Sequence, residues 1–99
     1  MLNITKTAEG SALTIALEGR LDTTTAPDLE GVWKEASDGI TELTIDLKTL
    51  DYISSAGLRV LLSMQKTMNK QGKMRVTNVS SDVMEVFEVT GFSDILTSE

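Results

Sequence analysis

Two adjacent serines, Ser54 and Ser55, stand where a strand-like stretch gives way to a helix-like one, in the run LKTLDYISSAGLRVLL over residues 47–62. A helix N-terminus presents unpaired backbone N–H groups and the positive end of the helix dipole. A serine there is suited to carry a phosphate, whose charge that terminus partly accommodates. Serine is equally a preferred N-cap, worth about 1 kcal/mol to its helix. One cap serves one helix, so a pair of serines leaves one hydroxyl without that duty. Asp51 and Tyr52 precede them on what reads as a short loop. Gly57, just after them, suits close packing against a sheet or the approach of a partner backbone. Leu58 reads as an exposed anchor or as a core residue. Arg59, four residues past Ser55, reads as a partner for a carboxylate or phosphate, or as a solvated helix charge. A second group, Asp22, Thr23 and Thr24, lies in a loop before an earlier helix. Its carboxylate and hydroxyls suit either partner contact or ordinary turn hydrogen bonds.

Much chemistry is excluded by composition. The chain has no histidine and no cysteine, which removes thiol nucleophiles, disulfides, cysteine-held zinc and the commonest acid–base side chain near neutrality. Nine Lys and Arg against fifteen Asp and Glu give a net charge of −6, the wrong sign for a nucleic-acid binder. No Gly-x-x-x-x-Gly-Lys phosphate loop is present, and a receiver-type magnesium site would need a paired acid cluster that the sequence lacks. An enzyme would have to use a carboxylate, lysine or serine, and no base is placed beside Ser55 by sequence. Neither an enzyme, a metal nor a cofactor is therefore expected. No apolar run approaches the ~20 residues of a membrane span. The opening MLNITKTAEG has neither a basic nor an apolar leader segment, so a cytoplasmic setting is expected.

The elements that must position these residues follow from periodicity. Residues 2–7 and 12–18 read as strands joined in a hairpin through Ala8-Glu9-Gly10-Ser11, with Leu13, Ile15 and Leu17 on one face. Gly19 to Thr25 reads as a loop. Thr25, Pro27 and Asp28 then mark a helix start in which a hydroxyl can cap, and Leu29, Val32, Trp33 and Ala36 make its buried stripe. Residues 43–47 alternate as a strand, and 56–70 form a largely buried helix stopped at Gly72. Residues 73–77 make a fourth strand. A last main helix spans 82–90, capped by Ser80 or Ser81, with Val83, Val86, Phe87 and Val89 inward; Ser93 to Leu96 adds a short turn or helix. The order β-β-α-β-α-β-α implies one α/β domain over residues 1–99, a mixed sheet covered by helices.

Asp51-Tyr52-Ile53-Ser54-Ser55-Ala56-Gly57-Leu58 resembles the signature of the STAS family, typified by bacterial anti-sigma-factor antagonists. Gly19-Arg20-Leu21-Asp22 with Thr25-Ala26 resembles the family's segment before its first helix. Ile45-Asp46-Leu47 is similar to its central strand, and Val86 to Phe92 to its C-terminal Thr-Gly segment. The resemblance implies phosphorylation of the first serine of an Asp-Ser-Ser/Thr-Gly motif by a serine kinase that is also the anti-sigma factor. Counted back from Gly57, that serine is Ser55, with Ser54 the fallback; Ser54 stands in place of the family's Asp and Ala56 in place of its second hydroxyl. The implied function is a partner switch, bound to the anti-sigma factor when unphosphorylated, released when phosphorylated and reset by a serine phosphatase. The implied contact surface comprises Asp22, Thr23, Thr24, Ser54, Ser55, Ala56, Gly57, Leu58 and Arg59, with neither nucleic acid nor membrane as a partner. The second implied reading is a non-switching STAS subunit of a signalling or lipid-transport assembly, its serines only capping a helix.

Overall fold

The computed structural model describes residues 2–91. Alternating apolar residues build a four-stranded sheet in the order β1 (Leu2–Glu9), β2 (Ala12–Leu21), β3 (Glu42–Ile53), β4 (Lys73–Thr77). β1 runs antiparallel to β2, and β2, β3 and β4 run parallel to one another. Helices α1 (Ala26–Ala36), α2 (Ser55–Gln71) and α3 (Ser81–Thr90) complete the order β-β-α-β-α-β-α, the mixed α/β architecture expected from the sequence. Leu13, Ile15 and Leu17 of β2 and Leu43, Ile45 and Leu47 of β3 are buried on the same face as Met74 and Val76 of β4. They share one core with Leu29 and Trp33 of α1, Leu58, Leu61, Met64 and Met68 of α2, and Val83 and Phe87 of α3. Thr14, Asp46 and Arg75, on the alternate positions, belong to the opposite, polar face.

Three departures from the periodic reading have physical causes. β3 is 12 residues long, where residues 43–47 alone alternate cleanly. Between Ala16 opposite Asp46 and Glu18 opposite Thr49, β2 advances two residues and β3 three. A second extra residue enters β3 between the pairs Gly19–Leu50 and Arg20–Tyr52. These two bulges change the spacing of buried residues from two to three at Leu47, Leu50 and Ile53. Asp51 and Tyr52 thus lie in a strand and not in a loop. β2 correspondingly continues through Gly19, Arg20 and Leu21, which had read as loop.

The Thr25 hydroxyl does not cap α1. It donates to the Arg20 carbonyl at 2.8 Å and accepts from the Asp22 N–H at 2.8 Å. Val89 points outward and is 80% exposed. Two residues past Phe87 is about 200° around a helix, the side away from the core. Phe92 and the expected turn over Ser93 to Leu96 lie outside the described residues. No helix of the described residues is long and apolar enough to cross a membrane.

Candidate functional site

The parallel strands β2 and β3 end together, with Leu21 opposite Ile53. Their following turns therefore meet at the carboxyl edge of the sheet, where functional groups collect in open α/β folds. The contact is direct, since Ser54 N–H donates to the Leu21 carbonyl at 2.9 Å.

The division of labour between the two serines is visible in the backbone. Ser54 is extended, with φ −99° and ψ 174°, and is the N-cap of α2. Its hydroxyl accepts from Gly57 N–H at 3.3 Å, and its carbonyl accepts from Leu58 N–H at 3.0 Å. Ser55 follows as the first helical residue and is exposed. Among the described residues its hydroxyl has no hydrogen-bond partner. The first turn of α2 holds no acidic residue, whereas α1 and α3 carry Asp28 and Asp82 there. The positive end of the α2 dipole thus has no acidic counter-charge from its own first turn. No carboxylate or amine hydrogen-bonds to either serine hydroxyl among the described residues.

The neighbouring turn is tied down by Asp22. Its Oδ1 accepts from the Thr24 N–H at 3.0 Å, the Thr24 hydroxyl at 2.7 Å and the Thr25 N–H at 3.2 Å. These donors, the Thr24 hydroxyl foremost, hold the Asp22 carboxyl below the usual carboxylate range. Asp22 also lies 3.8 Å from Arg20 Nε, an exposed pair of small energetic weight. Arg20 stacks over the Tyr52 ring, 4.3 Å from its centroid, and Tyr52 is one of the few large apolar side chains left exposed. This Arg–Tyr platform is absent from the sequence reading. Its two members meet only through the bulged register of β2 on β3, which local periodicity does not disclose.

The structure brings together Asp22, Thr23, Thr24, Ser54 and Ser55, and sorts the remaining candidates by burial. Thr23 and Thr24 are exposed, and Ala56 is half-buried against the core. Arg59 is exposed one turn beyond Ser55 and makes no ion pair among the described residues. Leu58 is fully buried, which corrects its place in an expected contact surface: it is a core residue. Gly57 is buried as well. A Cβ there would lie 2.6 Å from Leu21 Cγ and 3.0 Å from the Leu21 carbonyl oxygen. Its role is therefore close packing of α2 on β2, not exposure of backbone to a partner. No group of three or more His, Cys, Asp or Glu among the described residues could hold a metal ion.

The chain is similar to known proteins in sequence and in fold. The chain is 30% identical over 97 residues to the anti-sigma-B factor antagonist of Staphylococcus aureus, covering 96% of this chain and 90% of that one. An anti-sigma factor antagonist from Mycobacterium paratuberculosis superposes with a TM-score of 0.89 at 20% identity, covering 99% of this chain and 85% of that one. The Bacillus cell fate determinant SpoIIAA in its phosphorylated form superposes at 0.75 and 17% identity, with 100% and 91% coverage. The STAS domain model matches residues 3–99, so the chain belongs to the STAS domain family.

Proposed function

We propose that this domain is an anti-sigma-factor antagonist that works as a phosphorylation-controlled partner switch in the cytoplasm, without catalysis of its own. Unphosphorylated, it binds an anti-sigma factor that is also its serine kinase; phosphorylated on Ser55, it lets go; a serine phosphatase restores binding. The observation that carries the reading is that Ser54 alone caps α2. Ser55 is left exposed at the first helical position, where a kinase can reach its hydroxyl without disturbing a hydrogen bond. The likeness to an anti-sigma-B factor antagonist supports the choice of partner. The contact surface would combine Ser55, Thr23, Thr24 and Arg59 with the Arg20–Tyr52 platform, arginine and tyrosine being the residue types that often dominate interface energetics. Phosphate adds about −1.5 to −2 charge at neutral pH. At the centre of a desolvated interface that charge weakens binding unless it is matched.

The test uses wild-type, Ser55→Ala, Ser55→Asp and Ser54→Ala baits in a lysate of the source organism, with captured proteins quantified by mass spectrometry. The expected result is a serine kinase recovered by wild type and both alanine variants, and at least ~10-fold less by Ser55→Asp, a difference of 1.4 kcal/mol or more. After incubation with that kinase and ATP, the phosphate should map to Ser55 and be absent from Ser55→Ala. Phosphate on Ser54 would move the switch by one residue. Equal recovery of one transport or signalling assembly by all four baits would replace the switch by a scaffold role.

A further inference from the structure

Charge is distributed unevenly along this acidic chain. All fifteen Asp and Glu lie outside residues 52–81, whereas five of the nine Lys and Arg lie within them: Arg59, Lys66 and Lys70 on α2, Lys73 and Arg75 on β4. The helices differ accordingly. α1 carries Asp28, Glu30 and Glu35 against Lys34, and α3 carries Asp82, Glu85 and Glu88 with no base. α2 carries its three bases and no acid. Lys66 and Lys70 follow Arg59 by about two and three helical turns, which puts the three within about 40° of one another around the helix. All three are exposed, and Ser55 heads the same stripe one turn before Arg59. The intervening Leu62, Ser63 and Asn69 supply no counter-charge, and none of the three bases makes an ion pair among the described residues. Lys73 and Arg75 alternate with the buried Met74 and Val76, so they belong to the opposite face of the sheet and not to the stripe.

We propose that this stripe is a docking surface for an acidic face of the protein partner, extending the contact along α2 from Ser55 to Lys70. At a rise of 1.5 Å per residue, Arg59, Lys66 and Lys70 stand about 6, 16 and 22 Å along the helix from Ser55. Opposite charges across an interface speed encounter and fix orientation. These three cations have no ion pair to give up on binding, and they sit on a chain whose net charge is −6. A nucleic acid fits poorly, because that net charge and the acids of α1, which packs on α2, repel a polyanion. A membrane fits no better. Leu58, Leu61, Met64 and Met68 are committed to the core, leaving only the half-buried Leu62 on the stripe to insert. A phosphate on Ser55 would stand at the head of the stripe and oppose its charge where the contact begins. The proposal rests on the switching reading for the identity of the partner.

The experiment measures the Kd of the full chain for the purified serine kinase recovered by the wild-type bait, from about 0.05 to 0.5 M salt. Lys66→Glu/Lys70→Glu should bind at least ~10-fold more weakly at the low-salt end, and the loss should shrink as salt rises. Lys66→Gln/Lys70→Gln, which does not oppose the α2 dipole, should show a smaller loss in the same direction. Lys6→Glu/Lys48→Glu makes the same change in net charge on β1 and β3 and should stay within about twofold of wild type. Thermal melts check that each variant is folded. The proposal is overturned if the stripe variants bind as wild type, if the Lys6/Lys48 control loses as much, or if a DNA duplex or phosphatidylglycerol vesicles bind the stripe more tightly than the kinase does. A loss with Ser55→Asp but not with the stripe variants keeps the switch and overturns this surface; the converse keeps the surface and overturns the switch. If no kinase is captured, the switching reading fails and a ¹H–¹⁵N titration with a short glutamate peptide decides. Shifts centred on Arg59, Lys66 and Lys70 uphold the surface, whereas shifts absent there, or equal at Lys6 and Lys48, overturn it.

Discussion

Replacing glycine by alanine in a helix ordinarily stabilises it, by about 0.8–1.0 kcal/mol at an interior position. The structure predicts opposite signs for this one substitution at two helical sites. Gly31, in the middle of α1, is exposed, and a Cβ there would meet nothing within 4 Å. Gly31→Ala should therefore realise the propensity gain and raise Tm by roughly 4–8 °C, the shift typical of about 1 kcal/mol in a domain of this size. Gly57 sits in the first turn of α2, where the propensity gain is smaller, and its new Cβ would lie 2.6 Å from Leu21 Cγ. Cγ is the branch point of the side chain and not its flexible end. Leu21 is itself fully buried, and its carbonyl, 3.0 Å from the same Cβ, already accepts the Ser54 N–H. Nothing there can retreat without shifting β2 or α2. Overpacking of this kind costs about 1–3 kcal/mol, so Gly57→Ala should be destabilised by about 1–2 kcal/mol net and lose roughly 4–16 °C in Tm. Circular dichroism melts and urea titrations of wild type and both variants measure this. A Gly57→Ala protein as stable as wild type would refute the close packing of α2 on Leu21, and with it the positioning of Ser55.

Two further outcomes separate structural from functional groups at the same edge. Ser54→Ala removes the α2 cap and should lose about 1 kcal/mol in urea unfolding, whereas Ser55→Ala should stay within about 0.5 kcal/mol of wild type; the reverse order would exchange their roles. The Asp22 carboxyl is held below its ordinary range in the folded state by its hydrogen bonds, that from the Thr24 hydroxyl first. Its contribution to stability is therefore present above the unfolded carboxylate value near pH 4 and is lost as pH falls through the lower folded value. The difference in urea midpoint between wild type and Asp22→Asn should accordingly shrink as the pH is taken from about 6 to 2. A constant difference would mean that the charge of Asp22 plays no part.

What the sequence disclosed and what it hid divide along one physical line. Leu13, Ile15 and Leu17 repeat every two residues, so β2 and its buried face were legible, as were the helices carrying Leu29 and Trp33 or Leu61, Met64 and Met68. The second half of β3 was not, because each bulge resets the two-residue period, and a run with buried residues three apart looks like neither strand nor helix. The Thr25 hydroxyl was misread for a related reason. A threonine before a helix is locally a cap, and only the return of Arg20 and Asp22 around the turn supplies it with better partners. Ser54 and Ser55 could not be ranked from sequence, since a one-residue change in helix start exchanges their roles.

The same bulges that obscured β3 are what place the proposed switch. Two extra residues in β3 carry Ile53 into register with Leu21 while the strands stay hydrogen-bonded. Leu21 then receives the Ser54 N–H on its carbonyl and Gly57 against its side chain. One residue at the end of β2 thus fixes the first turn of α2 at two points. Ser55 stands between those points, exposed, its hydroxyl without a hydrogen-bond partner among the described residues. A phosphate added there breaks no hydrogen bond and displaces no core side chain, so it has no structural lever with which to refold the domain. On the proposed reading its effect is confined to surface charge and bulk on a rigid platform. Phosphorylated and unphosphorylated forms should then differ in partner affinity while their amide spectra differ only around residues 54–59 and the adjoining 22–24 turn. Spectral changes reaching Leu13, Ile45 or Phe87 in the core would show that the switch works by refolding instead.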